Sequence, residues 1–174
     1  MSSQSEWWDV VDADGAPIDA TFRRGSGPWP LGCFYLVVAV CAQRADGAVL
    51  LTRRAASKDF AFGWEFPGGS ALAGESSCDA ASRELREETG LDVEPLKLIP
   101  MGRFVEDAAL LDFYVARVTG NETLALQSTE VMAAEWVTPD EVIRRLNAGR
   151  MAEPWSARLH WLWSSTEQEL RRAR

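Results

Sequence analysis

Hydrophobic and polar positions along the chain follow two periods. Short apolar runs bounded by glycine, proline and Asp-Gly turns read as strands. FYLVVAVCAQ and GAVLLTRR flank a turn at Asp46-Gly47, and their β-branched and aromatic content suits a sheet. WWDVVDADGAPID reads as a hairpin around Asp14-Gly15. RRGSGPWPLG and the aromatic-rich SKDFAFGWEFPGGSALAG read as loops, and further strands are expected over 96–104, 110–118 and 132–137. Helical spacing takes over at Cys78, Ala81 and Leu85, predicting a helix over 76–89 that Gly90 closes. TPDE at 138–141 joins a capping box to a proline at the first helical position, so a second helix starts there. Trp155, Leu159, Leu162, Trp163 and Leu170 mark a last helix, 154–174. The pattern predicts an α/β fold: a mixed sheet with helices on its faces.

Composition narrows the function. The 174 residues are 47% hydrophobic and 25% charged, which suits one globular domain over 1–174. The longest apolar run, 33–42, falls short of the ~20 residues of a membrane helix, so no membrane partner is expected. The start MSSQSEWWDV lacks a basic segment and an apolar signal core, so a cytoplasmic location is expected. A net charge of −8 argues against nucleic-acid polymers as partners. Cys33, Cys41 and Cys78 form no C-x-x-C pair and read as reduced core residues, and the single histidine, His160, leaves little room for a histidine-based centre.

The chemistry concentrates in RELREETG, residues 83–90. At about 100° per residue, Glu84, Glu87 and Glu88 share one helical face. Two carboxylates ~6 Å apart in a partly buried site repel by about 3 kcal/mol at an effective dielectric of about 20. A hard divalent cation turns that repulsion into attraction, and carboxylates with substrate phosphates are the ligands Mg²⁺ prefers. The glycine loop FPGGSALAGE runs directly into this helix and lets backbone approach a ligand.

Together Gly69, Glu75, Arg83, Glu84, Leu85, Glu87, Glu88, Gly90 and Leu91 spell G-x5-E-x7-R-E-U-x-E-E-x-G-U, with U apolar. A chance match in a chain this long is on the order of one in ten million. The chain thereby resembles the Nudix hydrolases, with the box over 69–91. The resemblance implies an α/β/α sandwich and hydrolysis of a diphosphate linkage, in a nucleoside diphosphate linked to X, by activated water. It implies Mg²⁺ or Mn²⁺ on Glu84, Glu87, Glu88 and the Gly69 carbonyl, and a loop-orienting role for Glu75. Arg83, four residues before Glu87, is expected to steady it as metal-linked base, and Glu130 is the candidate base or ligand outside the box.

Substrate contacts are sought at Arg53 and Arg54, for a phosphate, and in the aromatic loop, above all Phe66. The N-terminal hairpin and loop, 1–32, resemble the branch near isopentenyl diphosphate isomerases. That isomerase chemistry needs a cysteine before the box and histidine ligands, and FGWEFPGGS supplies neither. A nucleotide-sensing module without turnover is the other alternative, although such a module is expected to lose metal carboxylates and all three stand here. Homodimers are common in the family, and Trp161, off the apolar stripe, would mark such a contact.

Overall fold

Period-two alternation becomes two buried faces of one sheet. In the computed structural model, which describes residues 6–172, β3 (Tyr35–Arg44) turns Val38, Val40 and Ala42 to one core and Ala39 and Cys41 to the other. A strand covered on both faces reads as a continuous apolar run, as this one does. Residues 1–5 of the polar start and 173–174 of the expected last helix lie outside the described residues.

Along the chain come β1 (Trp7–Val11), β2 (Pro17–Arg23), β3, β4 (Val49–Arg54), β5 (Trp64–Glu65), β6 (Gly68–Ser70) and α1 (Ser77–Thr89). A 3₁₀ turn (Pro95–Lys97), β7 (Ile99–Val105), β8 (Ala109–Val118), β9 (Val131–Val137), α2 (Pro139–Asn147) and α3 (Trp155–Arg172) follow. Among the described residues β1 and β2 form a hairpin apart from a seven-stranded mixed sheet, ordered β5-β4-β3-β8-β7, with β6 beside β3 and β9 beside β4. β3 and β8 run parallel, from Tyr35 opposite Ala109 to Arg44 opposite Val118.

Helix α1 covers one face with Ala80, Ala81 and Leu85 against Val38, Val40 and Leu50. Burying Leu85 completely is worth about 1.5–3 kcal/mol. On the other face Trp155, Leu159, Leu162 and Trp163 of α3 meet Leu51, Leu111 and Phe113. These layers make the expected α/β/α sandwich. No helix among the described residues is long and apolar enough to cross a membrane, and Cys33, Cys41 and Cys78 are free thiols.

Two expectations need correction. The segment read as one aromatic loop holds β5 and β6, and Gly68 shows why the sequence hides β6. A Cβ there would stand 2.0 Å from the Val38 carbonyl oxygen, so this pairing requires the residue least typical of strands. The strand expected from residue 96 begins at Ile99, after the 3₁₀ turn opened by Pro95. Its register then shifts between Pro100 and Gly102, where proline cannot donate to the ladder.

Candidate functional site

Ser76 caps α1 by accepting the Asp79 N–H, and Gly90, at φ 78°, closes it by donating to the Arg86 carbonyl. Between these stops the apolar stripe anchors Leu85 in the core, which directs the glutamates toward β6. Gly69 on β6 is the near wall: a Cβ there would lie 2.6 Å from Glu84 Oε1.

Arg83 is the hub. Its Nε and Nη2 donate to the two Glu75 oxygens at 2.6 and 2.8 Å, and Nη2 also donates to the Ser70 carbonyl at 3.1 Å. Nη1 donates to Glu84 at 2.8 Å and to Glu87 at 3.2 Å. The expected Arg83–Glu87 contact is therefore present as the longest of five. Glu75 also accepts the Leu72 N–H at 2.8 Å, tying the loop to the helix. Burial pushes the Glu75 carboxyl up, but the Arg83 and Leu72 hydrogen bonds outweigh it and hold the group below the usual range. The same Glu75 contacts raise Arg83 further above its ordinary value.

Glu84 and Glu88 carry the opposite strain. Burial raises Glu84 despite Arg83 beside it. Glu88, only 5% exposed, is pushed well above the carboxylate range, first by burial and then by the negative charges of Glu65 and Glu84. Its opposing contact is the Gly68 N–H, at 3.1 Å. Glu87 is the exposed member of the set, its side chain 46% accessible. Among the described residues no three acidic, histidine or cysteine side chains are gathered into a finished metal cage. Arg83 instead provides the positive charge between Glu84 and Glu87. The donor set nevertheless fits a hard cation: Glu88 is a buried carboxylate short of counter-charge, with Glu84 near it and beside a glycine that has no side chain to intrude.

Glu130 lies just before β9 and pairs with Lys58; its charge is among those that raise Glu88. Arg54 donates to both Glu65 oxygens at 2.8 Å and to the Asp59 carbonyl at 2.6 Å. Arg53 donates to the Phe62 carbonyl at 2.9 Å. Phe66 is 1% exposed and packs edge-on against Phe113 and Trp155, with ring centres 5.2 and 5.0 Å away. The exposed aromatics of that loop are Phe60 and Phe62, each with left-handed backbone (φ 53° and 67°). Such conformations cost of order 1–3 kcal/mol each, and here the end of β4 holds the loop. The Arg54 N–H donates to the Gly63 carbonyl, and the Phe62 N–H donates to the Arg54 carbonyl.

Beside Gly69 opens a cavity of about 200 Å³ with an apolar floor of Val37, Ala39, Phe66 and Trp155. Its walls bring in residues that the sequence reading missed. Glu65 pairs with Arg54, and Arg158 on α3 makes two bonds to Glu106, at 2.6 and 3.0 Å. Arg158 follows Trp155 by three places on the apolar stripe of α3, and this polar interruption is the signal that could have flagged it.

A model of the NUDIX domain matches residues 34–159. The chain is 29% identical over 143 residues to an uncharacterised Nudix hydrolase of Listeria innocua, covering 79% of this chain and 82% of that protein. It is 32% identical over 108 residues to the CTP pyrophosphohydrolase of Escherichia coli, covering 62% and 78%. A crystal structure of a Deinococcus radiodurans protein superposes with a TM-score of 0.71 at 24% identity, covering 84% of this chain and 92% of that one, and so shares the fold. Nudix hydrolases act on nucleoside diphosphate derivatives and generally use divalent ions such as Mg²⁺. With the matched domain spanning most of its length and the box complete, the chain belongs to the Nudix hydrolases, enzymes that cleave phosphoanhydride bonds.

Proposed function

We propose that this protein hydrolyses a diphosphate linkage in a small nucleoside diphosphate linked to X, with Mg²⁺ or Mn²⁺ held by Glu84, Glu87, Glu88 and the Gly69 carbonyl. The observation that carries this reading is Glu88. It is a buried carboxylate beside other negative charges, opposed by one backbone N–H. When bound, the ion neutralises phosphate oxygens and makes water acidic enough to supply a nucleophile near neutral pH. The chain does the rest. Arg83 keeps Glu84 and Glu87 beside β6, and Glu75 fixes Arg83. Glu87, the accessible carboxylate, takes the proton of the attacking water, and Glu130 is the competing base from outside the box. The cavity at Gly69 receives the nucleoside, with Arg54 on its wall and Phe66 in its floor.

The isomerase-like alternative finds no support in the site: residues 62–70 contain no cysteine, and His160 is exposed on α3. A cytoplasmic location suits small nucleotide substrates. The deciding experiment incubates the full chain and Mg²⁺ with nucleoside triphosphates, CTP among them, nucleotide sugars, ADP-ribose and dinucleoside polyphosphates. Cleavage at a phosphoanhydride in at least one of these is expected. Tight binding without cleavage across the panel would overturn the reading in favour of a sensor. Isomerisation of isopentenyl diphosphate would overturn it in favour of the other enzyme class.

A further inference from the structure

The cations of this acidic chain are mostly committed. Among the described residues four arginines make no ion pair: Arg23, Arg53, Arg86 and Arg150. Arg23 is on the hairpin and Arg86 on the solvent side of α1, whereas Arg53 and Arg150 line one cleft of about 380 Å³. Arg53 uses Nε on the Phe62 carbonyl and lies 5.8 and 5.9 Å from the ring centres of Phe62 and Trp64, and among the described residues its two terminal nitrogens have no hydrogen-bond partner. Arg150 is exposed at the end of the turn after α2, where its carbonyl accepts the Trp64 N–H. Among the described residues Glu153 is the one carboxylate lining the cleft, which leaves its lining net positive on a chain of charge −8.

This cleft adjoins the reaction site. Phe60 and Ala152 line both it and the cavity at Gly69, and Phe60, half exposed on left-handed backbone, stands between them. The first cavity alone is smaller than the ~300–1,000 Å³ that usually receives a small-molecule ligand, and the two together reach that range. A molecule anchored at the box and filling the first cavity meets an aromatic edge and then two uncommitted guanidinium groups. Planar guanidinium forks are suited to phosphate oxygens.

We infer that Arg53 and Arg150 bind a second phosphate of the substrate, an ester on its nucleoside half remote from the diphosphate, with Phe60 bracketing the group between them. The inference deepens the proposed hydrolysis and rests on it for the substrate's orientation. It selects nucleoside diphosphate derivatives that carry a ribose phosphate over those that do not.

The test needs no turnover. Calorimetric titration of the full chain with Mg²⁺ compares adenosine 5′-monophosphate with adenosine 3′,5′-bisphosphate and adenosine 2′,5′-bisphosphate. One of the bisphosphates is expected to bind about tenfold or more tightly, as a charge-assisted contact predicts. The two isomers identify which ester the cleft reads. Arg53→Ala and Arg150→Ala should each bring that advantage within about threefold, and Arg86→Ala should leave it intact. If Arg53→Ala disturbs folding through Phe62 and Trp64, Arg150→Ala decides, since its side chain is exposed and unpaired. Equal affinity for all three nucleotides, or an advantage that survives both cleft variants, overturns the inference. A bisphosphate advantage in a protein that hydrolyses nothing supports the cleft and counts against the hydrolase reading alone. Hydrolysis without the advantage does the reverse.

Discussion

Arg83 and Arg53 mark two regions built on opposite plans. Arg83 engages all three guanidinium nitrogens in five hydrogen bonds, to Glu75, Glu84, Glu87 and the Ser70 carbonyl. Arg53 makes one, to the Phe62 carbonyl. The first region holds acidic groups in place against their own repulsion, so every donor near them is used. The second keeps donors uncommitted, so a ligand can satisfy them. Positions that perform a fixed reaction are over-determined by their neighbours, whereas positions that read a variable substrate stay under-satisfied until it arrives.

The largest expected effect tests the over-determined side. Glu87→Gln keeps size and hydrogen bonding but removes the charge, and it should lower kcat by about 10²–10⁴-fold while thermal denaturation stays within about 2 °C. Glu130→Gln serves as the competing measurement: a loss as large as that of Glu87→Gln would transfer the base role to Glu130.

A smaller effect separates fold from site within two adjacent residues. At Gly68 an added Cβ meets the Val38 carbonyl oxygen at 2.0 Å, which backbone cannot easily yield. Gly68→Ala should therefore cost about 1–3 kcal/mol of stability, read as a lowered midpoint in thermal denaturation. At Gly69 the Cβ meets the end of the Glu84 side chain, which can turn away. Gly69→Ala should leave the midpoint nearly unchanged but weaken Mg²⁺ binding about 10–100-fold, the scale on which ligand positioning acts. Equal thermal losses in both variants would erase the distinction.

The smallest effect is a slope against pH. Burial and the nearby carboxylates give Glu88 a folded-state pKa above its unfolded one, so the metal-free folded protein binds the extra proton. Stability without metal should then fall as pH rises from the unfolded value, about 4.3, through the raised folded value. One group contributes no more than about 1.4 kcal/mol per pH unit. Mg²⁺ affinity should rise over the same window, because the cation displaces that proton. Glu88→Gln should flatten the stability slope, and an unchanged slope would show that other groups carry it.

How much of this was legible from the sequence depended on distance along the chain. Gly90 and Thr138 announced their helix ends because caps act within a few residues. The box glutamates and Arg83 were legible for the same reason, since Glu75 and Arg83 are eight residues apart on one loop and helix. Arg158 and Glu106 are separated by 52 residues, and only the sheet and α3 bring them together. Glu65 was hidden differently. Its burial beside Glu88 follows from β5 pairing with β4, and a two-residue strand is too short to show a period. Reading FPGGS as loop was misleading too, because Gly68 is a strand residue held against β3.

The carbonyls that end α1 carry one more consequence. Glu88 and Thr89 do not leave theirs to solvent: the Gln127 and Ala125 N–H groups close them at 3.1 and 2.8 Å, and a Cβ at Gly90 would touch Ala125. The irregular segment between β8 and β9 thus grips the helix at the end that carries Glu87 and Glu88 and then runs into Glu130 and β9. For an evolving lineage, this stretch is poor ground for insertions. A lengthened loop there would be felt as a shifted carboxylate, so substrate range is freer to diversify at the opposite rim, where Phe60 and Arg150 stand.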